Sequence, residues 1–538
     1  MRPAHPDRPA RPLLIVGWDG ATPELVGPWM EDGTLPHLAA LAKRGAWAPL
    51  RSLVHPLSPA AWTSAITGLN PGRHGIWDFG HRAPDTYRVD PTTARERHGA
   101  TVWDIAEDCG LRWAALNVPL SHPAPATTRG VFVPGLGAEE LEGNTWPREL
   151  AAQIEAELPG FRMDSNAYEH ADPADFLADV NAMIQQRATL ATSLLQRERP
   201  DLMMCVFVAT DRVQHAFWRQ SSLPGVHGRG HWRFADAIRD TYRALDDALG
   251  LLVAAAGDDA SVLVVSDHGF GELEGDLYLN SILEDAGWMT VRRTASRVDR
   301  LPAALRPFGR RLRAELPPRF RRREADLTFG HIDWATTRAY SRGLFGNVWL
   351  NLRGREPHGI VEPGPEADAL LAAITDRLLE QTEPDGRTPL FDAVLRGAEL
   401  YWGEQAAGAP DLVAVPREYR WMTRSGREIG PRGQLFSDPA VRHTGNHRMD
   451  GVFVGAGPGI AQGARPERLR LLDLTPTALA LLGIEVPRGL DGVPMDDVLS
   501  CDVGWTDELP WRQPGEGAAP PDRDRLEERL RGLGYLAE

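Results

Sequence analysis

The sequence predicts an α/β fold, a three-layer sandwich around a largely parallel central sheet. Three short apolar runs and the helical patterns between them carry this prediction. Leu13-Leu14-Ile15-Val16 leads through Gly17-Trp18 into Asp19, Leu202 to Val208 leads through Ala209-Thr210 into Asp211, and Val262 to Val265 leads through Ser266 into Asp267-His268. Continuous apolar runs of this length read as strands covered on both faces, as in parallel sheets. Between them, Phe176 to Leu195 and Ala237 to Ala256 repeat apolar residues at helical spacing. Strands that alternate with helices in this way build the sandwich.

Further elements follow along the chain. Arg338 to Ser341, Asn347 to Leu352, Asp411 to Val415 and Gly451 to Val454 read as additional short strands of the same domain. Thr475-Pro476, ahead of an apolar run that stops at Gly483, reads as a helix with a Thr N-cap and Pro in its first turn. We expect a flexible basic tail over 1–11, one large domain over 12–505, and a Pro/Gly-rich tail over 506–538 that ends in a short charged helix from Arg525 to Leu536. Residues 292–323 hold twelve arginines interrupted by Pro302, Pro307, Pro317 and Pro318. This Arg-rich insertion, at about 290–330, reads as a solvated arm, or as a lid that attracts an anionic substrate or a membrane surface.

Composition narrows the function. The chain has 538 residues, 42% of them apolar, with 74 acidic against 59 basic side chains and a net charge of −15. That balance favours solubility and gives no reason to expect nucleic acid as a partner. Lys43 is the only lysine, so arginine clusters reflect a general bias of the chain and carry less meaning than usual. Cys109, Cys205 and Cys501 lie far apart, which excludes a disulfide framework and a cysteine zinc knuckle. No signal-peptide run and no stretch of the ~18–20 apolar residues that a membrane span requires is visible, and the expected compartment is the cytoplasm. Oligomeric state leaves no mark in the sequence.

Each of the three strands ends in an acidic residue. Ligands of open α/β sheets bind beyond the carboxyl ends of the strands, so Asp19, Asp211 and Asp267-His268 are expected along one edge. An aspartate after a strand also serves as a helix N-cap, and for any single one of them that reading stands equally well. Asp211 and His215 are four apart at the start of a helical segment, which puts carboxylate and imidazole on one face. Mixed oxygen and nitrogen ligands of this kind suit zinc. His447, on a Gly-containing loop in Thr444-Gly-Asn-His-Arg448, adds a further imidazole. Six such ligands are enough for two metal ions, given a bridging hydroxyl. Ser58, followed by Pro59, reads as the N-cap of a helix, where the helix dipole stabilises a developing anion. Ser64 and Thr67, inside the same helix, are rival hydroxyls, and a plain capping role for Ser58 is the alternative.

These motifs resemble the alkaline phosphatase superfamily, in its type I phosphodiesterase/nucleotide pyrophosphatase-like branch of phosphohydrolases and phosphomutases. The resemblance runs from LLIVGWDG through SPAAWTSAITGLNPGRHGIWDF, TDRVQHAFW and VVSDHGFG to GNHRMDGVFVGAGPGI and LLDLTPTALALLGIEVPRGLDG. It implies an alkaline phosphatase-like fold and two divalent cations, usually zinc, while Asp/His sites of this kind also accept manganese. Asp19, Ser58, Asp267 and His268 would hold one ion, and Asp211, His215 and His447 the other. Ser58 would be the nucleophile and form a phosphoseryl enzyme on a small phosphorylated substrate, most simply a phosphodiester. A phosphomutase or headgroup transferase on the same site is the alternative.

Two departures matter. Phe79 stands where nucleotide pyrophosphatases carry an asparagine that binds the phosphoryl oxygen, so Phe79 and Trp62 are the candidate substrate-binding residues. Ser58-Pro-Ala-Ala-Trp62 lacks the sulfatase motif, which excludes that branch.

Overall fold

The computed structural model describes residues 12–512 apart from 84–85, 126, 128, 139, 224–231, 293–328, 424–428 and 440–442. Almost all of the Arg-rich insertion and the whole C-terminal helix from Arg525 therefore lie outside the described residues.

An eight-stranded sheet forms the centre. Its order across the sheet is Leu469–Arg470, Ala46–Arg51, Asp450–Ala456, Ser261–Val265, Leu13–Trp18, Leu202–Phe207, Trp113–Leu116 and Gly130–Val133. Asp450–Ala456 runs antiparallel to both its neighbours, and the other neighbouring pairs are parallel. The apolar runs are continuous because both faces of the sheet are covered. Along the first strand, Leu14, Val16 and Trp18 enter one core while Leu13 and Ile15 enter the other, as the period-2 alternation of strands requires. Helices Pro173–Glu198 and Ala237–Ala256 cover the first face, and Ser58–Thr67, Val102–Asp108 and Leu474–Leu481 cover the second.

Register fixes the site edge. Leu13 pairs with Leu202 and with Ser261, so the three predicted strands are adjacent, parallel and in step. Their carboxyl ends, and with them Asp19, Asp211 and Asp267, therefore meet along one edge.

The strands expected from Ala339 to Pro416 do not extend this sheet. Ala339–Ser341, Asn347–Leu350, Leu412–Pro416 and Phe391–Arg396 form a separate antiparallel sheet in the order given. Helix Pro365–Leu379 packs on it through Leu370, Ile374 and Leu378, in a core of its own with Val348, Leu350 and Leu412. A fourth apolar cluster, with Leu57, Phe79, Leu344, Phe345 and Tyr419, joins this second sheet to the site edge.

Three local expectations need correction. Ser58 is not a cap: Leu57 holds the extended N-cap conformation and Ser58 is the first helical residue, which leaves its hydroxyl free of the backbone. Thr475 lies inside helix Leu474–Leu481, whose N-cap position is Asp473, because a 3₁₀ turn at Leu471–Asp473 starts the coil earlier. Its hydroxyl instead donates to Ala65 O (2.7 Å) and ties two helices together. His447 sits on a strand, Gly445–Arg448, rather than a loop, paired antiparallel with Gly269–Glu272.

Candidate metal centre

Asp19 follows the first strand through a close approach of two chain segments. Gly20 has φ +72°, and a Cβ there would lie 3.2 Å from Asp211 Cα, so only glycine lets the two aspartates approach in this way. Gly20 N donates to Asp267 Oδ1 (3.3 Å), and Gln214 Nε2 donates to Gly20 O (2.8 Å). The turn thus links all three strand ends. Asp211 is the third residue of helix Ala209–Phe217, and His215 follows one turn later on the same face.

The short strand Gly445–Arg448 brings in the last ligand. His447 pairs opposite Phe270, and the His268 and His447 rings stack with centroids 3.6 Å apart. Gly445 packs against the helix at Gln214 O, where a Cβ would lie 2.4 Å away, and its carbonyl accepts from His215 Nδ1 (2.9 Å). His447 Nδ1 donates to Pro56 O (2.7 Å), and His268 Nδ1 to Gly269 O (3.0 Å). Each carbonyl fixes the tautomer with the proton on Nδ1, which leaves the Nε2 lone pair free to bind a cation.

Two clusters result, and Asp211 belongs to both. Asp211, His215 and His447 form one, and Asp19, Asp211 and His268 the other, with ligand atoms in each within 4.8 Å of one another. His215 Nε2 lies 3.1 Å from His447 Nε2, and both lie close to Asp211 Oδ2, at 3.2 and 3.3 Å. Two lone pairs facing each other at that distance are stabilised by a cation between them. Asp19 Oδ1 and Asp267 Oδ2 are buried without a hydrogen-bond partner, a costly arrangement that a metal ion relieves. Asp267 Oδ2 and Asp19 Oδ1 lie 3.4 and 3.7 Å from His268 Nε2. The donor set therefore fits divalent cations of the zinc or manganese kind.

Electrostatics agree with this fit. Burial raises Asp19 to about 8, helped by the charge of Asp211 and opposed by the Trp62 hydrogen bond. Burial, with Asp19 and Asp211 beside it, lifts Asp267 well above the usual carboxylate range. Burial acts on Asp211 as well, but His215, His447 and Arg212 outweigh it and hold the carboxyl well below its ordinary value. Burial pushes His268 and His447 down, so both imidazoles are neutral.

Ser58 Oγ lies 3.2 Å from His268 Nε2 at the start of its helix. The rival hydroxyls are engaged elsewhere: Ser64 Oγ lies 2.9 Å from His74 Nε2, and Thr67 Oγ1 donates to Thr63 O (2.7 Å). The seven expected ligand residues, Asp19, Ser58, Asp211, His215, Asp267, His268 and His447, all lie buried at one edge.

Trp62 and Phe79, expected against substrate, are both fully buried. Trp62 Nε1 donates to Asp19 Oδ2 (2.9 Å) from behind, and Phe79 packs with Leu57, Leu344 and Phe345. Phe345 closes on His447 with ring centroids 5.8 Å apart, a contact no sequence pattern announced. Trp62→Phe is expected to keep the fold, lose about 1 kcal/mol of stability with the hydrogen bond, and weaken metal retention at Asp19. Denaturant titration and metal analysis check this, and unchanged metal affinity would contradict it.

Comparison with known proteins is decisive at the level of the family. The family of type I phosphodiesterases and nucleotide pyrophosphatases matches residues 13–447. The chain belongs to this family. It is accordingly a metal-dependent hydrolase of phosphoric esters. No curated protein sequence matches the chain. Among solved structures, phosphonoacetate hydrolase from Sinorhizobium meliloti 1021 superimposes with a TM-score of 0.55 at 17% identity, covering 87% of this chain and 94% of the other. Human ectonucleotide pyrophosphatase/phosphodiesterase 5 gives a TM-score of 0.50 at 14% identity, covering 91% of this chain and all of the other. At such identities the likeness establishes the alkaline phosphatase-like fold. Among the described residues no helix is long and apolar enough to cross a membrane.

Proposed function

We propose that this phosphoric ester hydrolase is a two-metal phosphodiesterase with Ser58 as its nucleophile. The observation that carries the reading is the position of Ser58 Oγ, on the first residue of a ten-residue helix and 3.2 Å from Nε2 of His268, a member of the Asp19/Asp211/His268 cluster. Asp19, Ser58, Asp267 and His268 would hold one ion, and Asp211, His215 and His447 the other, with zinc favoured by the mixed oxygen and nitrogen donors. When bound, divalent cations there supply positive charge that lowers the pKa of hydroxyl groups and offsets charge on the phosphoryl oxygens.

The chain's own residues perform the rest. Ser58 gives up its proton and forms the new P–O bond in line as the ester P–O bond breaks and the alcohol leaves. The N-terminal end of helix Ser58–Thr67 favours the developing negative charge at this position. Water then cleaves the phosphoseryl bond and restores the Ser58 hydroxyl. Trp62 holds Asp19, and Gly20 N holds Asp267, so neither carboxylate has to reorganise during the reaction.

The test is metal content measured alongside hydrolysis of bis(p-nitrophenyl) phosphate and p-nitrophenyl phosphate. Two ions per chain with faster diester cleavage is the expected result. Two ions with neither ester cleaved would move the reading to a phosphomutase or headgroup transferase. His447→Ala is expected to lose one ion and most of the activity, since the substitution removes one of the three ligands of the Asp211/His215/His447 cluster. Retention of both ions in metal analysis would refute that assignment.

A further inference from the structure

Arg212 stands beside a metal-ligand candidate in sequence, yet it is 95% buried, with 5% relative exposure. A buried guanidinium costs several kcal/mol unless its charge and hydrogen bonds are matched. Here they are matched on two sides. Nε and Nη2 donate to the two oxygens of Asp164 (2.8 and 3.2 Å), and Nη1 donates to Asp211 Oδ1 (2.7 Å). With Oδ1 taken, Asp211 is left with Oδ2, the oxygen that faces His215 and His447.

Asp164 is itself held by a buried network. It lies between helices Leu150–Glu157 and Pro173–Glu198, where Ser165 donates to Asp179 (2.6 Å). Arg187 donates to Met163 O (2.9 Å) and to Val206 O (2.8 Å), which ties this segment to the strand Leu202–Phe207 that leads to Asp211.

We propose that the Asp164–Arg212 pair is a positioning clamp that holds Asp211 in its metal-binding rotamer and sets the affinity of the Asp211/His215/His447 position. This rests on the two-metal reading above. Two effects compete in the clamp. Orientation strengthens cation binding, whereas the positive charge of Arg212 opposes it. Asp164 neutralises that charge with a bidentate pair, so the clamp as a whole carries no net charge toward the cation and orientation decides the sign. Residues that orient metal ligands in this way typically change metal affinity by about 10–100-fold when removed.

The sign makes the proposal testable on the full-length protein. Zinc affinity of each position is measured by competition with a chromophoric chelator, and the cobalt-substituted protein is followed by its visible spectrum. Arg212→Gln is expected to weaken the Asp211/His215/His447 ion by about 10–100-fold, weaken the other less, since Asp211 also borders the Asp19/His268 cluster, and alter the cobalt spectrum of the more strongly weakened position. Arg212→Lys, which keeps the charge and one donor, is expected to recover part of that affinity. Asp164→Asn keeps Arg212 but removes the carboxylate that takes its Nε and Nη2, so more of its positive charge falls on Asp211, and the variant is expected to weaken the same ion at least as much as Arg212→Gln.

Tighter zinc binding in Arg212→Gln would show that charge outweighs orientation and overturn the clamp. Unchanged affinity in Arg212→Gln and Asp164→Asn, or equal loss at both ions, would overturn it too. A wild-type protein that binds no zinc would instead count against the metal centre itself, so the two failures are distinct.

Discussion

Ser58→Ala is expected to abolish turnover while both metal positions remain filled. Loss of an attacking oxygen typically costs about 10³-fold or more in kcat, and far more where nucleophile and activating groups act as a unit. On the proposed assignment the ions should stay, because Asp19, Asp267 and His268 would still hold the position that Ser58 would share. The substitution should also fold: Ser58 caps no helix, and among the described residues its hydroxyl is hydrogen-bonded to His268 and to no backbone group. Ser64→Ala is the matched control, since that hydroxyl is paired with His74 inside the helix. Full activity in Ser58→Ala and none in Ser64→Ala would move the nucleophile along the helix.

Metal uptake by the stripped protein is expected to release protons at pH 7 and to tighten as pH rises toward about 8. Five of the ligand residues fall into two groups. Asp211 is already ionised, and His268 and His447 are already neutral, so none of these three has a proton to lose. Asp19, raised to about 8, and Asp267, raised well above its ordinary value, are protonated in the metal-free protein. A carboxylate binds a cation only after deprotonation, so these two supply the protons.

The same shift sets the stability of the stripped fold. Asp19 moves from 3.8 in the open chain to about 8 in the fold, so the folded state holds its proton longer. Its contribution to stability is present below about pH 4 and is lost as pH rises toward about 8, and bound metal reverses that loss. Calorimetric titration in buffers of different ionisation enthalpy counts the protons, and thermal unfolding with and without zinc across this range tests the sign. Zinc uptake without proton release would contradict the burial of Asp19 and Asp267 as protonated acids.

What the sequence disclosed follows from how each element is stabilised. Leu13–Trp18, Leu202–Phe207 and Ser261–Val265 were legible because a strand covered on both faces has to be apolar throughout. Helix Ala237–Ala256 was legible because one face of it meets the core through Ile238, Leu245 and Leu249. Gly445–Arg448 was not, since a four-residue strand of Gly, Asn, His and Arg has no apolar pattern and exists through its partner Gly269–Glu272. The separation of the Ala339–Pro416 strands into a sheet of their own was equally hidden, because alternation reports burial on one face and not which sheet provides it. Ser58 was placed as a cap because Ser-Pro marks a helix start, and the register of one residue is set by Leu57. Arg212 and Asp164 escaped notice for a different reason. In a chain with a single lysine, one more arginine carries no signal, and their pairing spans 48 positions.

The order of strands in the central sheet has a consequence for synthesis. Ala46–Arg51 has only two neighbours, Leu469–Arg470 and Asp450–Ala456, and both come from the last fifth of the described chain. While the ribosome is still producing the middle of the protein, that early strand has no partner in the sheet, and Ser261–Val265 has one bare edge. Unpaired edges of this kind invite association with other chains, and contacts between distant segments form slowly. Residues 450–456 join that early strand to Ser261–Val265 and, with His447 just before them, bring the last imidazole in the same event. A nascent chain therefore gains the proposed Asp211/His215/His447 position only when these residues dock, so incomplete products would neither hold a cation there nor hide their edges from chaperones.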